Sequence, residues 1–222
     1  MRAVELVVTD DPIRMAAELL AAAVARGGEL ALSGGSSPRP AYELAARLAP
    51  DWSGTRVWLG DERCVAEDDE RANVRLVRES LAAARVPDLR PVDTSLSPGE
   101  AAAAYDAQLE GVTLDLAFQG LGPDGHTASL FPHAPSLAET DRRVVAAAAG
   151  LEPWVERVTM TVPFLRAARE VMYLVVGTSK ADAACRAFAE APSSGTPASL
   201  VRSRTGRTIA ILDPPAARLL DR

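Results

Sequence analysis

The residues with the most chemical potential lie in one loop, Gly120-Leu121-Gly122-Pro123-Asp124-Gly125-His126-Thr127-Ala128-Ser129-Leu130-Phe131-Pro132. His126 is one of only two histidines in the chain. An imidazole titrates near working pH, so it can take a proton and return it within one reaction cycle. Asp124 is close enough in sequence to orient that ring, as a carboxylate orients a histidine base in a catalytic triad. A lone histidine is more often a satisfied structural residue. A glycine-rich loop after a strand, however, is where catalytic groups collect on a rigid scaffold. His133, in Phe131-Pro132-His133-Ala134-Pro135, lacks that context and reads as a surface loop residue.

Two further segments carry chemistry. Leu32-Ser33-Gly34-Gly35-Ser36-Ser37-Pro38 joins a short apolar run to a helix start. Glycines let a backbone approach a ligand closely, and a helix N-terminus offers unpaired N–H groups with partial positive charge. That makes Ser33, Gly34, Gly35, Ser36 and Ser37 a candidate phosphate cradle. The loop lacks both the Lys-Ser/Thr ending of a P-loop and the Gly-x-Gly-x-x-Gly pattern of dinucleotide sites. Alone, it is equally an ordinary turn. Asp61-Glu62-Arg63 follows Val57-Trp58-Leu59-Gly60. Asp61 and Arg63 can face one crevice, and the guanidinium fork suits phosphate or carboxylate. Alone, the triplet also fits a solvated charged turn.

These loops need a scaffold, and the chain alternates short strand-like runs with longer helical ones. Strands are expected at Val4–Val8, Leu30–Leu32, Arg56–Leu59, Leu114–Phe118, Arg143–Ala147, Val158–Thr161, Val171–Val176 and Thr208–Ile211. Helices are expected from Pro12 to Ala25, and at Pro40–Leu48, Glu70–Ala84, Pro98–Leu109, Lys180–Ala189 and Pro214–Leu220. Continuous apolar runs such as Val171–Val176 suit parallel strands buried on both faces. The alternation therefore implies one α/β domain over residues 1–222, with an open, mostly parallel sheet covered by helices on both faces, a modified Rossmann-like arrangement. In such sheets ligands bind beyond the carboxyl ends of the strands, where all three loops fall.

Composition narrows the function. The 222 residues are 48% hydrophobic and 24% charged, ordinary values for a globular chain. A formal net charge of −6 argues against nucleic acid as a partner, because such binders need surplus cation. No run of 18 apolar residues is present, so no membrane span is expected. The segment after Met1 lacks the basic head, apolar centre and cleavage site of a signal peptide. Cys64 and Cys185 stand far apart with no metal-type spacing. That argues against a disulfide framework and a zinc site, and for a reducing cytoplasm. Of the 24 basic residues only Lys180 is lysine, a bias that genome composition explains but that marks Lys180 for attention.

Taken together, the segments resemble the 6-phosphogluconolactonase family. The family pattern has a Ser-Gly-Gly-x-Ser/Thr-Pro loop, an Asp-Glu-Arg strand end and a Gly-x-Asp-Gly-His-Thr-Ala-Ser-Leu-Phe-Pro loop. All three occur here in order. Asn73 stands where that family usually carries an asparagine. Arg157–Thr161, Gly177–Ala181, Pro197–Leu200 and Leu212-Asp213 agree as well, so the resemblance spans nearly the whole chain. Departures are small: Ser37 replaces a threonine, and the loops around Ala148–Pro153 are trimmed.

The resemblance implies hydrolysis of 6-phospho-D-glucono-1,5-lactone to 6-phosphogluconate, the second step of the oxidative pentose phosphate pathway. A lactone is an ester. Attacking water must lose a proton, and the ring oxygen must gain one as it leaves. His126 can do both in turn, with no nucleophilic serine or cysteine and no metal or other cofactor. No Gly-x-Ser-x-Gly elbow is present to suggest otherwise. The expected catalytic group is therefore His126 with Asp124. Asp61 is included too, its role open between holding Arg63, touching sugar hydroxyls and assisting His126. Arg63, Arg157 and Lys180 are the candidate phosphate cations, beside the Ser33–Ser37 backbone. Arg157 alternatively reads as a surface charge, and Lys180 as a helix opener.

The expected partner is a small sugar-phosphate lactone, and the expected state a monomer, with a dimer as the alternative. Two other readings compete. Amino-sugar-phosphate deaminases resemble this chain in the glycine loop and the Asp-Gly-His segment, but their histidine loop continues toward a glutamate. Here no acid follows until Glu139. A non-catalytic sugar-phosphate sensor would carry a DNA-binding segment, and this chain starts directly with its first strand.

Overall fold

The computed structural model describes residues 3–150 and 152–220. The expectations that touch Met1, Arg2, Leu151, Asp221 and Arg222 lie outside the described residues at those positions.

Seven strands form one parallel sheet: β1 (Val4–Val8), β2 (Gly28–Leu32), β3 (Thr55–Leu59), β5 (Leu89–Arg90), β6 (Leu116–Gly120), β9 (Glu170–Val175) and β10 (Arg207–Leu212). Their spatial order is β1-β10-β9-β6-β2-β3-β5. After β2 the chain moves outward through β3 to β5. After β6 it moves the opposite way, through β9 to β10. The order reverses between β2 and β6, and that switch point opens a crevice at the carboxyl ends of these strands.

Alternate residues of each strand point to opposite faces, and each face has its own core. Leu30, Leu32, Val57, Leu59, Leu116, Phe118, Met172, Leu174, Ile209 and Ile211 pack against α1 (Pro12–Arg26), α2 (Pro38–Leu48) and α3 (Asn73–Ser80). Ala31, Trp58, Ala117, Val171, Tyr173, Val175, Ala210 and Leu212 face the other core, with α4 (Pro98–Gln108), α5 (Val162–Ala167), α6 (Ala181–Ala184) and α7 (Pro214–Ala217). The expected two-faced sheet is what the residues build. In α1 the periodic set Ala16, Ala17, Leu20, Ala23 and Val24 is buried, and Asp11 caps the helix by accepting from Arg14 N–H.

A second sheet was not expected. β4 (Asp61–Arg63), β8 (Arg157–Met160) and β7 (Val144–Ala147) pair antiparallel in the order β4-β8-β7. Three charged residues read locally as a turn, but pairing with β8 makes them a strand, a tertiary override of local propensity. Helix α5 was also missed, although Thr161 caps it and Pro163 lies in its first turn. The two-residue edge strand β5 carries too short a pattern to read. Strand β6 starts and ends two residues later than expected, after Asp115, whose carboxylate takes the Glu29 N–H. The expected helix Lys180–Ala189 is instead a 3-10 turn at Thr178–Lys180, then α6, then a wider π turn at Cys185–Ala189. Helix α7 stops at Ala217, short of Leu220.

Helix α3 is shorter than the expected Glu70–Ala84, and its start is fixed from a distance. The Glu62 carboxylate on β4 accepts the N–H groups of Asn73 and Val74, each at 2.7 Å, and that of Arg63, also at 2.7 Å. Glu62 thus serves as the cap that Ala72 cannot provide. It is only 1% exposed. Burial pushes its carboxyl from 4.5 up to about 7, against the pull of those three N–H bonds.

The unfolded chain releases this proton near the ordinary glutamate value, and the folded chain releases it near pH 7. The stabilising share of Glu62 is therefore complete below its unfolded pKa and is lost as pH rises through about 7. In Glu62→Gln the side chain has no proton to lose. Urea unfolding from about pH 5 to pH 8 should show the wild type losing stability relative to Glu62→Gln by about 3 kcal/mol across that window. Parallel pH slopes would contradict the expectation.

Candidate active site

The crevice at the switch point contains a cleft of about 190 Å³. Of the eleven expected site residues, all but Asp124 line it, and Asp124 stands directly behind one that does. The structure gathers segments from four strand ends: Ser33–Ser37 after β2, Asp61 and Arg63 after β3, the histidine loop after β6, and Lys180 after β9.

The glycine loop is held from below. Tyr42 on α2 donates its hydroxyl to Ser33 O at 2.9 Å and accepts from Ser33 N at 3.1 Å. Gly35 adopts φ +105°, a conformation that favours glycine. Helix α2 begins at Pro38, two residues before the expected Pro40, so its N-terminus opens straight onto the loop. Pro38 and Pro40 carry no N–H, so the donors that remain on this side are those of the Gly34–Ser37 segment and Arg39. The Ser37 side chain makes no capping bond. Ser33 Oγ is buried with no hydrogen-bond partner among the described residues.

In the histidine loop, Gly122 N–H donates to His126 O at 2.8 Å and Gly125 N–H to Gly122 O at 3.0 Å. This tight wrap lays the side chains of Asp124 and His126 over Gly122. Asp124 Oδ1 lies 2.6 Å from His126 Nδ1 and 3.1 Å from His126 N. Burial raises the Asp124 carboxyl, but the bonds and charge of His126 outweigh it, leaving the group below the ordinary carboxylate range. An ionised carboxylate only accepts, so in the neutral ring Nδ1 is the nitrogen that carries the proton and Nε2 the one that can accept. Phe131 packs against the ring with centroids 5.2 Å apart. Ala128 takes φ 49°, a costly conformation for a residue with a Cβ, held within the loop by the Thr127–Leu130 bridge.

Arg63 and Arg157 are direct cross-strand partners of β4 and β8. Like charges so placed repel. Burial chiefly, and then the charge of Arg63, pull the Arg157 guanidinium below its ordinary value. Arg157 donates Nε to Val155 O at 3.0 Å and Nη2 to Pro153 O at 2.9 Å. It therefore pins the 153–155 segment as well as lending charge, and the surface-charge reading fails because the residue is 3% exposed. Arg63 donates Nη1 to Arg71 O, and its Nε is buried without a partner among the described residues. Lys180 is half-buried. Burial lowers its pKa, and the nearby Asp124 charge partly opposes that.

Asp61 does not pair with Arg63. Its Oδ2 accepts from Ser129 Oγ at 2.6 Å, while Asn73 Nδ2 donates to Asp61 O at 2.8 Å and to Oδ1 at 3.3 Å. Of its three open roles, holding Arg63 is the one this geometry removes. The hub formed by Asp61, Ser129 and Asn73, and the packing of Phe131 on His126, were missed by sequence reasoning, although Asn73, Ser129 and Phe131 were all named in the resemblance without a role. Among the described residues no group of three or more His, Cys, Asp or Glu side chains is placed to hold a metal ion. No helix there is long and apolar enough to cross a membrane.

A parallel sheet with a glycine loop, an arginine pair and an Asp–His dyad at its switch point defines an α/β protein built for a small anionic ligand. The sequence pattern described as glucosamine-6-phosphate isomerases/6-phosphogluconolactonase matches residues 8–210, and the chain belongs to that family. A 6-phosphogluconolactonase from Synechocystis is 37% identical over 207 residues, covering 87% of this chain and 85% of its own. The Homo sapiens 6-phosphogluconolactonase is 38% identical, covering 86% of this chain and 80% of its own. The crystal structure of a 6-phosphogluconolactonase from Thermotoga maritima superposes with a TM-score of 0.85 at 28% identity, covering 95% of this chain and 99% of that one.

The dyad depends on the bare Cα of Gly122. A Cβ there would stand 2.0 Å from His126 Nδ1 and 2.6 Å from Asp124 Oδ1. Proton NMR of the wild type should show a strongly downfield Nδ1–H resonance from the short hydrogen bond. Gly122→Ala should abolish that resonance while the far-ultraviolet circular dichroism stays unchanged. Its persistence in the variant would contradict the geometry.

Proposed function

We propose that this chain hydrolyses 6-phospho-D-glucono-1,5-lactone to 6-phosphogluconate, with His126 acting first as general base and then as general acid. One observation carries the reading. A single cleft is lined at once by the His126 ring, a glycine loop at a helix start, and two arginines that repel each other across a sheet. The cost of that repulsion is offset when a dianion sits between the guanidinium groups, which is what a phosphate ester supplies.

Asp124 holds Nδ1–H, so Nε2 takes a proton from water as the water oxygen attacks C1 of the lactone. The carbonyl electrons move to oxygen, forming a tetrahedral oxyanion. As it collapses, the bond from C1 to the ring oxygen breaks, and Nε2–H returns its proton to that oxygen. Lactone and water become the open-chain acid, with no covalent intermediate on the protein. Arg63, Lys180, the charge of Arg157 and the Gly34–Ser37 amides bind the 6-phosphate. That remote grip fixes which carbonyl faces the base. A cytoplasmic setting and a monomeric state belong to the same reading, and the free thiols of Cys64 and Cys185 suit the first.

The lactone can be generated in place from glucose 6-phosphate by its dehydrogenase, and 6-phosphogluconate followed above the spontaneous rate. His126→Ala should lower kcat by about 10²–10⁴-fold, close to background. Arg63→Ala and Lys180→Ala should chiefly raise KM, because a phosphate held equally in ground and transition states is uniform binding. Near wild-type turnover in His126→Ala would overturn the mechanism, and an unchanged KM in both cation variants would reassign the phosphate site.

A further inference from the structure

The glycines of the phosphate loop are needed for different reasons. Gly35 is required by its positive φ, but Gly34 has no such conformation. A Cβ on Gly34 would instead fall 1.8 Å from Asn73 Oδ1 and 2.3 Å from Asn73 Cγ. The amide of Asn73 occupies the volume where a side chain at position 34 would go, so Asn73 dictates that residue 34 is glycine.

Asn73 cannot easily yield. It is 1% exposed. Its backbone N–H is bound by Glu62 Oε1 at 2.7 Å, at the capped start of α3. Its Nδ2 donates to both the carbonyl and the carboxylate of Asp61. Those two bonds fix which end of the amide is nitrogen, so Oδ1 faces the glycine loop. Oδ1 is buried and has no hydrogen-bond partner among the described residues. A buried carbonyl oxygen without a donor is unfavourable. Its presence there is explained by the volume it fills beneath Gly34 and by the donor on the other end of the same amide.

The line of contact continues. Asp61 Oδ2 accepts from Ser129 Oγ at 2.6 Å, and Ser129 lies three residues after His126 in the same loop. Gly34, Asn73, Asp61 and Ser129 therefore form one unbroken tie between the phosphate cradle and the loop that carries the imidazole. We propose that Asn73 is a positioning residue: by spacing the glycine loop from Asp61, it sets the distance between the bound phosphate and His126. The inference rests on the lactonase reading above and adds the group that fixes its geometry. Asparagine suits the position better than residues of similar size. Leucine has similar volume but no donor for Asp61, and aspartate would face the Asp61 carboxylate with like charge.

Three variants test the tie: Gly34→Ala, Asn73→Ala, and the two together. The readout is the ratio of kcat/KM for the phosphorylated lactone to that for D-glucono-1,5-lactone, which lacks the phosphate. A general loss of folding lowers both rates and leaves the ratio unchanged. A misplaced phosphate anchor lowers only the first. Each single variant should reduce the ratio about tenfold or more, as expected when a substrate is displaced by a fraction of an ångström. The double variant should do no worse than the worse single one, because removing the amide makes room for the Cβ. Unchanged ratios in the single variants, or a double variant in which the two losses multiply, would overturn the proposal. If Asn73→Ala lacks native circular dichroism, Asn73→Ser replaces it, since it also vacates the Oδ1 position. Failure of the wild type to accelerate hydrolysis of the phosphorylated lactone would sink the functional reading instead. Melting temperatures of the same variants would then decide the tie alone, with coupled losses supporting it and additive losses overturning it.

Discussion

The site depends on one buried carboxylate. Asp61 follows the carboxyl end of β3 and enters the small antiparallel sheet, and it is 7% exposed. A buried charge survives only when its lone pairs are occupied by donors. Here Ser129 Oγ comes from the histidine loop and Asn73 Nδ2 from the start of α3. The need to satisfy Asp61 draws two separate segments onto one point. Next to it, Glu62 does the same for the backbone of α3. Two adjacent acids thus convert electrostatic cost into placement, one for the loops and one for the helix. The family resemblance offered Asp61 three roles, and the hydrogen bonds make it a joint rather than a partner of Arg63.

The parallel sheet was legible because its signal is local. Val171–Val176 and Ile209–Ile211 are short continuous apolar runs, the pattern that suits strands buried on both faces. The histidine loop and glycine loop were legible because their chemistry sits in consecutive residues. What escaped was whatever depends on a contact between distant segments. Asp61–Arg63 is a strand only because Arg157–Thr159 lies beside it. Helix α3 starts at Asn73 because a carboxylate eleven residues earlier reaches its N–H. The reason Gly34 is glycine lies at position 73, and no local turn rule encodes it. Arg157 was expected to bind phosphate, and nothing local shows that its Nε and Nη2 also grip the carbonyls of Val155 and Pro153.

Within the cleft the charges are divided. The chain carries a net −6, yet Arg63, Arg157 and Lys180 all line one small opening. A cleft walled by low-dielectric protein focuses that local positive field, so overall acidity does not prevent an anion from entering. The carboxylate oxygens of Glu62 and Asp61 accept from N–H and O–H donors, but their charges still act on Arg157 and offset part of that field.

The third cation of the cleft has an acidic neighbour. Asp124 lies near enough to Lys180 for its charge to be felt there, and the same Asp124 must keep Nδ1–H of His126. Arginine fills every other basic position in this chain, but its fork would grip a carboxylate with two parallel bonds. An ammonium on a flexible stem acts as a point charge, so it can serve an anion without capturing the carboxylate. The lone lysine therefore lines the cleft as a compact cation that feels the charge of Asp124.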